Sequence, residues 1–145
     1  MNRLALLLLV LAFGVARAQS PQPAVAGSAQ NWSLHTFSDA EGFRELSARG
    51  TEVHPAGPNV INVTDLSLTV YSGDATAHID TMLLSSQANF YSNDKRASGT
   101  KGVRVIRDDL EATGTRWTYD QVKKQVTLDG EVQIVFNAEL KGLLK

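Results

Sequence analysis

The chain has 145 residues, is 43% hydrophobic, contains no cysteine and carries a formal net charge of −1, a size that suits one domain. Those values exclude a polybasic nucleic-acid binder, a disulfide scaffold, a multi-span membrane protein and a wholly disordered chain. Thiol catalysis, a CxxC zinc site and lipobox lipidation are excluded with the cysteines.

Residues 1–18 read as a signal peptide. Arg3 supplies the positive start, Leu4 to Val15 form an apolar run broken only by Gly14, and Ala16-Arg17-Ala18 gives a small-x-small cleavage pattern before Gln19. The run is shorter than the ~20 apolar residues that span a hydrocarbon core; an uncleaved anchor is the competing reading. Once 1–18 are set aside, the rest of the chain is only about 38% apolar, lean for a packed domain. Residues 19–31 hold two of the four prolines and little to bury, and read as a flexible leader. The domain is assigned to residues 32–145, with its folded part running from Trp32 to about Leu140.

The first element is ambiguous. Ser38-Asp39-Ala40-Glu41 fits a capping box and Phe43 and Leu46 fall at helical spacing, which predicts a short helix over 39–48 ended by Gly50. A strand from Phe43 to Val53 fits the same residues.

Beyond it the pattern is β. Val and Thr each occur eleven times after residue 18, the β-branched enrichment of a pleated, half-buried surface. Leu66, Leu68 and Val70 alternate with polar neighbours; so do Val103 and Val105, Trp117 and Tyr119, Val126 and Leu128, and Val132, Ile134 and Phe136. Turn signals separate them at Ser72-Gly73-Asp74, Ser92-Asn93-Asp94, Asp108-Asp109, Asp120-Gln121 and Asp129-Gly130. The last predicts a type I′ hairpin, because both residues tolerate positive φ. Short strands without long helical patterns predict an antiparallel sandwich, jelly roll or barrel.

Two longer-range patterns cross these elements. A shift of 29 residues superposes Phe90 on Tyr119, Val103 on Val132 and Val105 on Ile134, with a polar, lysine-bearing turn inside each copy, as a repeated hairpin would. Charge is divided too: residues 19–83 carry 2 basic and 7 acidic groups, whereas residues 84–145 carry 10 basic and 8 acidic. Solvated strand edges account for the basic half; docking ends of opposite charge, or a rim meeting anionic head groups, are the sharper alternatives.

Signs of catalysis are weak. His35, His54 and His78 lack ligand spacing, and His78-x-Asp80 offers two ligands where a metal site needs more, so no metal or cofactor is expected. Ser92-Asn93-Asp94-Lys95 matches an S-x-x-K string but lies in a turn, where Lys cannot be placed beside Ser as on a helix. Asn31-Trp32-Ser33 and Asn62-Val63-Thr64 are sequons that matter only in a eukaryotic secretory pathway.

The stretch Ser85–Phe136 resembles the periplasmic lipopolysaccharide-export proteins of the LptC/LptA/OstA type. The resemblance is carried by Ser85-Ser86-Gln87-Ala88-Asn89-Phe90-Tyr91, Ala97-Ser98-Gly99-Thr100-Lys101-Gly102-Val103-Arg104-Val105, Leu110-Glu111-Ala112-Thr113-Gly114-Thr115-Arg116-Trp117-Thr118-Tyr119-Asp120 and Lys124-Gln125-Val126-Thr127-Leu128-Asp129-Gly130-Glu131-Val132, in that order. It implies an all-β, open antiparallel jelly roll of stacked hairpins and a transport function without catalysis. The implied ligand is lipopolysaccharide, its acyl chains sheltered in an interior trough. Candidate trough residues are Leu66, Leu68, Val70, Phe90, Val103, Val105, Trp117, Tyr119, Val126, Leu128, Val132, Ile134 and Phe136, for each of which an ordinary sandwich core is the plain alternative. The implied partners are the inner-membrane ABC-transporter exporter complex and neighbouring jelly rolls joined by edge-strand augmentation, in the periplasm, with no nucleic acid. LptC-type members keep a membrane anchor, whereas Ala16-Arg17-Ala18 points to cleavage, as in LptA-type members. Two rivals make different predictions. A secreted β-sandwich module binding carbohydrate or protein needs Trp117 and Tyr119 exposed on one face. A small exported hydrolase needs a cleft joining His78 and Asp80 to a nucleophile.

Overall fold

The computed structural model describes residues 27–137. The expected signal peptide and residues 19–26 of the leader lie outside that range. Within it the chain is all-β: β1 (Ala29–Phe37), β2 (Arg44–Gly57), β3 (Val60–Tyr71), β4 (Ile79–Tyr91), β5 (Arg96–Gly99), β6 (Val103–Ile106), β7 (Leu110–Gly114), β8 (Arg116–Asp120), β9 (Gln125–Asp129) and β10 (Gln133–Phe136). Every pairing is antiparallel. The sheet begins at Ala29, three residues before Trp32.

Residues 39–48 form no helix. Ser38 acts as a capping residue would, but on a turn: the Phe43 amide donates to Ser38 Oγ at 3.1 Å and the Ser38 amide donates to the Phe43 carbonyl at 2.7 Å. Gly42, at φ 70°, closes this turn, and β2 then leaves as the strand that competed for the same residues.

Four long strands share one crease. Asn31, Thr51, Asp65 and Ser86 follow one another across β1 to β4, and pairing is interrupted there in each ladder. Asn31 and Asp65 take positive φ, 53° and 51°, the local bend that a bulge introduces. Thr51 Oγ1 bridges the line by donating to Asp65 Oδ2 at 3.1 Å. Past the crease the sheet divides. One end of β4 pairs with β6 through Met82–Leu84, the other with β5 through Asn89–Tyr91. Layer A therefore runs β1-β2-β3-β4-β6-β7-β10 and layer B runs β1-β2-β3-β4-β5-β8-β9. Beyond β4 the chain crosses the crease between separate short strands, at Gly99–Gly102, Thr115 and Gly130–Val132. Backbone bonds from Gly102 N to Thr115 O (2.9 Å) and from Thr115 N to Gly130 O (2.8 Å) continue the line.

The core lies between the layers. Leu46, Ala48, Val63, Leu66, Leu68 and Leu83 are at most 2% exposed, and Trp117 closes the crease from inside, donating from Nε1 to Ser85 Oγ at 3.2 Å. Ser85 in turn donates to the Gly102 carbonyl at 2.7 Å. The result is an open antiparallel β-jelly roll, its sheet unclosed, with β1 at one limit and β9 and β10 at the other.

The expected Asp129-Gly130 hairpin is corrected by this topology. β9 pairs with β8 and β10 with β7, so the two strands flanking Asp129-Gly130 belong to different layers. Positive φ occurs, at Gly130 (77°) and Glu131 (49°), but it turns the chain over the crease instead of folding it back on itself. The 29-residue echo is a structural repeat. Turn 92–95 joins β4 to β5 and turn 121–124 joins β8 to β9; Lys95 and Lys124 end them at φ 47° and 51°, and each copy then crosses to layer A.

Candidate functional site

An apolar cleft opens between the layers on the side away from the crease. Its volume is about 430 Å³, within the ~300–1,000 Å³ usual for ligand sites. Leu34 and Phe37 from β1, Leu46 from β2, Ile61 from β3, Phe90 from β4, Ala97 from β5 and Tyr119 from β8 form its walls. Trp32 stands next to it, its ring 5.9 Å from that of Phe90 in an edge-on arrangement. Alternation explains the placement: Trp32, Leu34 and Thr36 project from one face of β1, and Ile61 and Val63 from one face of β3. Gln121 Nε2 donates to Thr36 Oγ1 at 3.3 Å, which brings the β8–β9 turn of layer B against β1 of layer A.

The rim is charged and unlike on its two sides. Asp39 and Glu45 stand on layer A, and Lys95 and Arg96 on layer B with Asn59 and Ser92 beside them. The Arg96 guanidinium lies 5.2 Å from the centre of the Tyr91 ring. Tyr119, 3% exposed, has its phenol pushed up to about 12, first by burial and then by the carboxylates of Glu45 and Asp120. It is a neutral hydroxyl on an apolar wall.

Only two of the thirteen candidate trough residues, Phe90 and Tyr119, line this cleft. Leu66, Leu68, Val70, Val103, Val105 and Trp117 are buried in the core, and Phe90, Val126 and Leu128 pack half-buried against it. Val132, Ile134 and Phe136 are 45%, 49% and 60% exposed. Ile134 and Phe136 pair with Ala112 and Leu110 and so share the face that buried Ala112 takes, left exposed at the β10 edge. Leu34, Phe37 and Ile61 were absent from the candidate set. The alternation of Trp32, Leu34 and Thr36 with polar neighbours was the available signal, obscured by its position next to a proline-rich leader.

The requirements of both rivals meet the same geometry. Trp117 and Tyr119 are each 3% exposed, so they offer no surface platform for a sugar or a protein. His78 Nε2 lies 3.2 Å from Asp108 Oδ2 in an exposed pair, not against Asp80. Among the described residues no three His, Asp or Glu side chains are grouped to hold a metal ion.

No family model matches the chain, and no curated protein matches it in sequence. Among solved structures it is similar to the crystal structure of LptH, the LptA homologous periplasmic component of the conserved lipopolysaccharide transport device from Pseudomonas aeruginosa. The TM-score is 0.54 at 11% identity, over 78% of this chain and 95% of that one. At that identity the likeness is one of fold.

Proposed function

We propose that the chain is a periplasmic lipopolysaccharide-transport component. It shelters lipid A acyl chains between its two β-layers and passes them between an inner-membrane ABC exporter and the outer membrane. The observation that carries this reading is the apolar cleft left open along the side of the jelly roll, in a fold shared with LptH. Water is a poor medium for such cargo: each exposed methylene costs about 0.8 kcal/mol, so a chain of roughly twelve carbons costs about 10 kcal/mol to carry uncovered. Leu34, Leu46, Ile61 and Phe90 offer the apolar lining that removes this cost, and the charged rim keeps the opening wet.

The edges fit a relay. β1 borders one limit of the sheet, β9 and β10 the other, and free strand edges are where neighbouring jelly rolls add by augmentation. The signal peptide read in residues 1–18 would deliver the domain, residues 32–145, to the periplasm. The test is photo-crosslinking in cells from a reactive amino acid at position 34 or 90, with position 118 on the outer face as control. Lipid adducts at 34 and 90 and none at 118 are expected. If neither inner position yields an adduct, the reading fails.

A further inference from the structure

The repeat places Lys95 on the rim of the cleft and its equivalent, Lys124, on the adjoining turn. Lys95 and Lys124 occupy equivalent last positions of turns 92–95 and 121–124, both in the left-handed region. Gly or Asn enters that region more readily than Lys, so the turns themselves give no reason for lysine. The two turns are joined: the Gln121 amide donates to the Lys95 carbonyl at 3.0 Å. Lys95 and Arg96 line the cleft and make its basic lip on layer B; Lys123 and Lys124 stand off it on the adjoining turn, the Lys124 ammonium beside Gly73 and Glu45 of layer A. Among the described residues Lys95, Lys123 and Lys124 form no ion pair, and Arg96 has only Asp94, at 3.9 Å. The opposite lip carries Asp39 and Glu45 on the same cleft.

We propose that the basic lip of layer B binds the phosphate-bearing headgroup of the amphiphile whose acyl chains enter the cleft. This rests on the transport reading and adds to it a headgroup site and a polarity. Phosphate is held by exposed ammonium and guanidinium groups and repelled by Asp39 and Glu45, so the headgroup settles on one lip only. Its chains then run inward past Tyr91 toward Phe90, Ile61 and Leu46. A bound molecule is thereby oriented, not merely sheltered.

The test is equilibrium binding of two probes to the purified chain: diphosphorylated lipid A, and the same acylated disaccharide with its phosphates removed. The wild-type chain should bind the phosphorylated probe about tenfold more tightly, with the preference shrinking as salt is raised. The Lys95→Gln/Arg96→Gln variant should lose the preference and bind the dephosphorylated probe unchanged, while Lys101→Gln, away from the cleft, should behave as wild type. Thermal unfolding checks that the variants fold. Equal wild-type binding of the two probes, or a preference that survives in the double variant, overturns the lip alone. Binding of neither probe overturns the transport reading itself. Inorganic phosphate at millimolar concentration should bind weakly and displace neither probe; tight binding of the free ion would make the lip a phosphate site unrelated to lipid and overturn the proposal.

Discussion

Gly99→Ala puts one methyl group against the most constrained contact in the fold. A Cβ at position 99 would lie 2.8 Å from both the Gln87 carbonyl oxygen and Trp117 Cε2, and closer still to Trp117 Nε1. Backbone on one side and a buried indole on the other leave no flexible tip to move aside. The indole must shift, and with it goes the 3.2 Å bond to Ser85 that ties Trp117 to the crease. Overpacking costs about 1–3 kcal/mol and the lost hydrogen bond about 1 kcal/mol, so a loss of about 2–4 kcal/mol is expected, a large share of an ordinary domain's ~5–15 kcal/mol. Gly57→Ala is the control: its Cβ would meet only Val60 atoms at 3.8 Å, and its stability should change by less than about 1 kcal/mol. Urea unfolding followed by tryptophan fluorescence and circular dichroism measures both, with equal m-values required for the comparison. A Gly99→Ala loss below about 0.5 kcal/mol, or one no larger than that of Gly57→Ala, would refute the packing argument.

Leu68→Ala, at a site with 0% exposure, should cost about 2–5 kcal/mol in the same experiment, whereas Phe136→Ala, at 60% exposure, should cost less than about 0.5 kcal/mol; equal losses would contradict the assignment of β10 to an open edge. Tyr119 sets a pH dependence. Its phenol titrates at about 12 when folded against 10.0 for a free phenol, so above pH 10 the unfolded chain releases a proton that the folded chain keeps. Stability should therefore be insensitive to this group below pH 10 and fall between pH 10 and 12. Tyr119→Phe should lose that part of the fall, as thermal melts across the range will report. Ser38→Ala removes the acceptor of the Phe43 amide and should cost about 1 kcal/mol, seen as a lower midpoint in urea with an unchanged slope.

Strand faces were legible wherever alternation was strict. Leu66, Leu68 and Val70, Val103 and Val105, and Trp117 all point into the core as their spacing implies. What escaped was information held by the partner strand. Asp129-Gly130 has the chemistry of a hairpin, but whether a turn folds back or crosses to another layer depends on which edge is free, and β8 had already paired with β9. Ser38 misled for a related reason, because a hydroxyl that caps a helix amide serves equally well in closing the loop between two strands. The cleft was the least legible part. It is assembled from β1, β2, β3, β4, β5 and β8 around a crease set by unpaired positions such as Asp65, and no local pattern marks where two layers will stay apart.

The repeat makes the length of the roll a quantised property. One unit of 29 residues supplies a hairpin to layer B and crosses to supply strands to layer A, so the structure grows in steps without any change at the crease. Neighbouring strands lie ~4.8 Å apart, so a unit that adds two strands to a layer lengthens it by about 10 Å. Duplicating residues 96–124 in frame would therefore insert one more rung between β5 and β8 and return the chain to the same register. The same step would add a third left-handed lysine in line with Lys95 and Lys124. Reach and charge are geared together in this molecule: each increment of span brings its own cation.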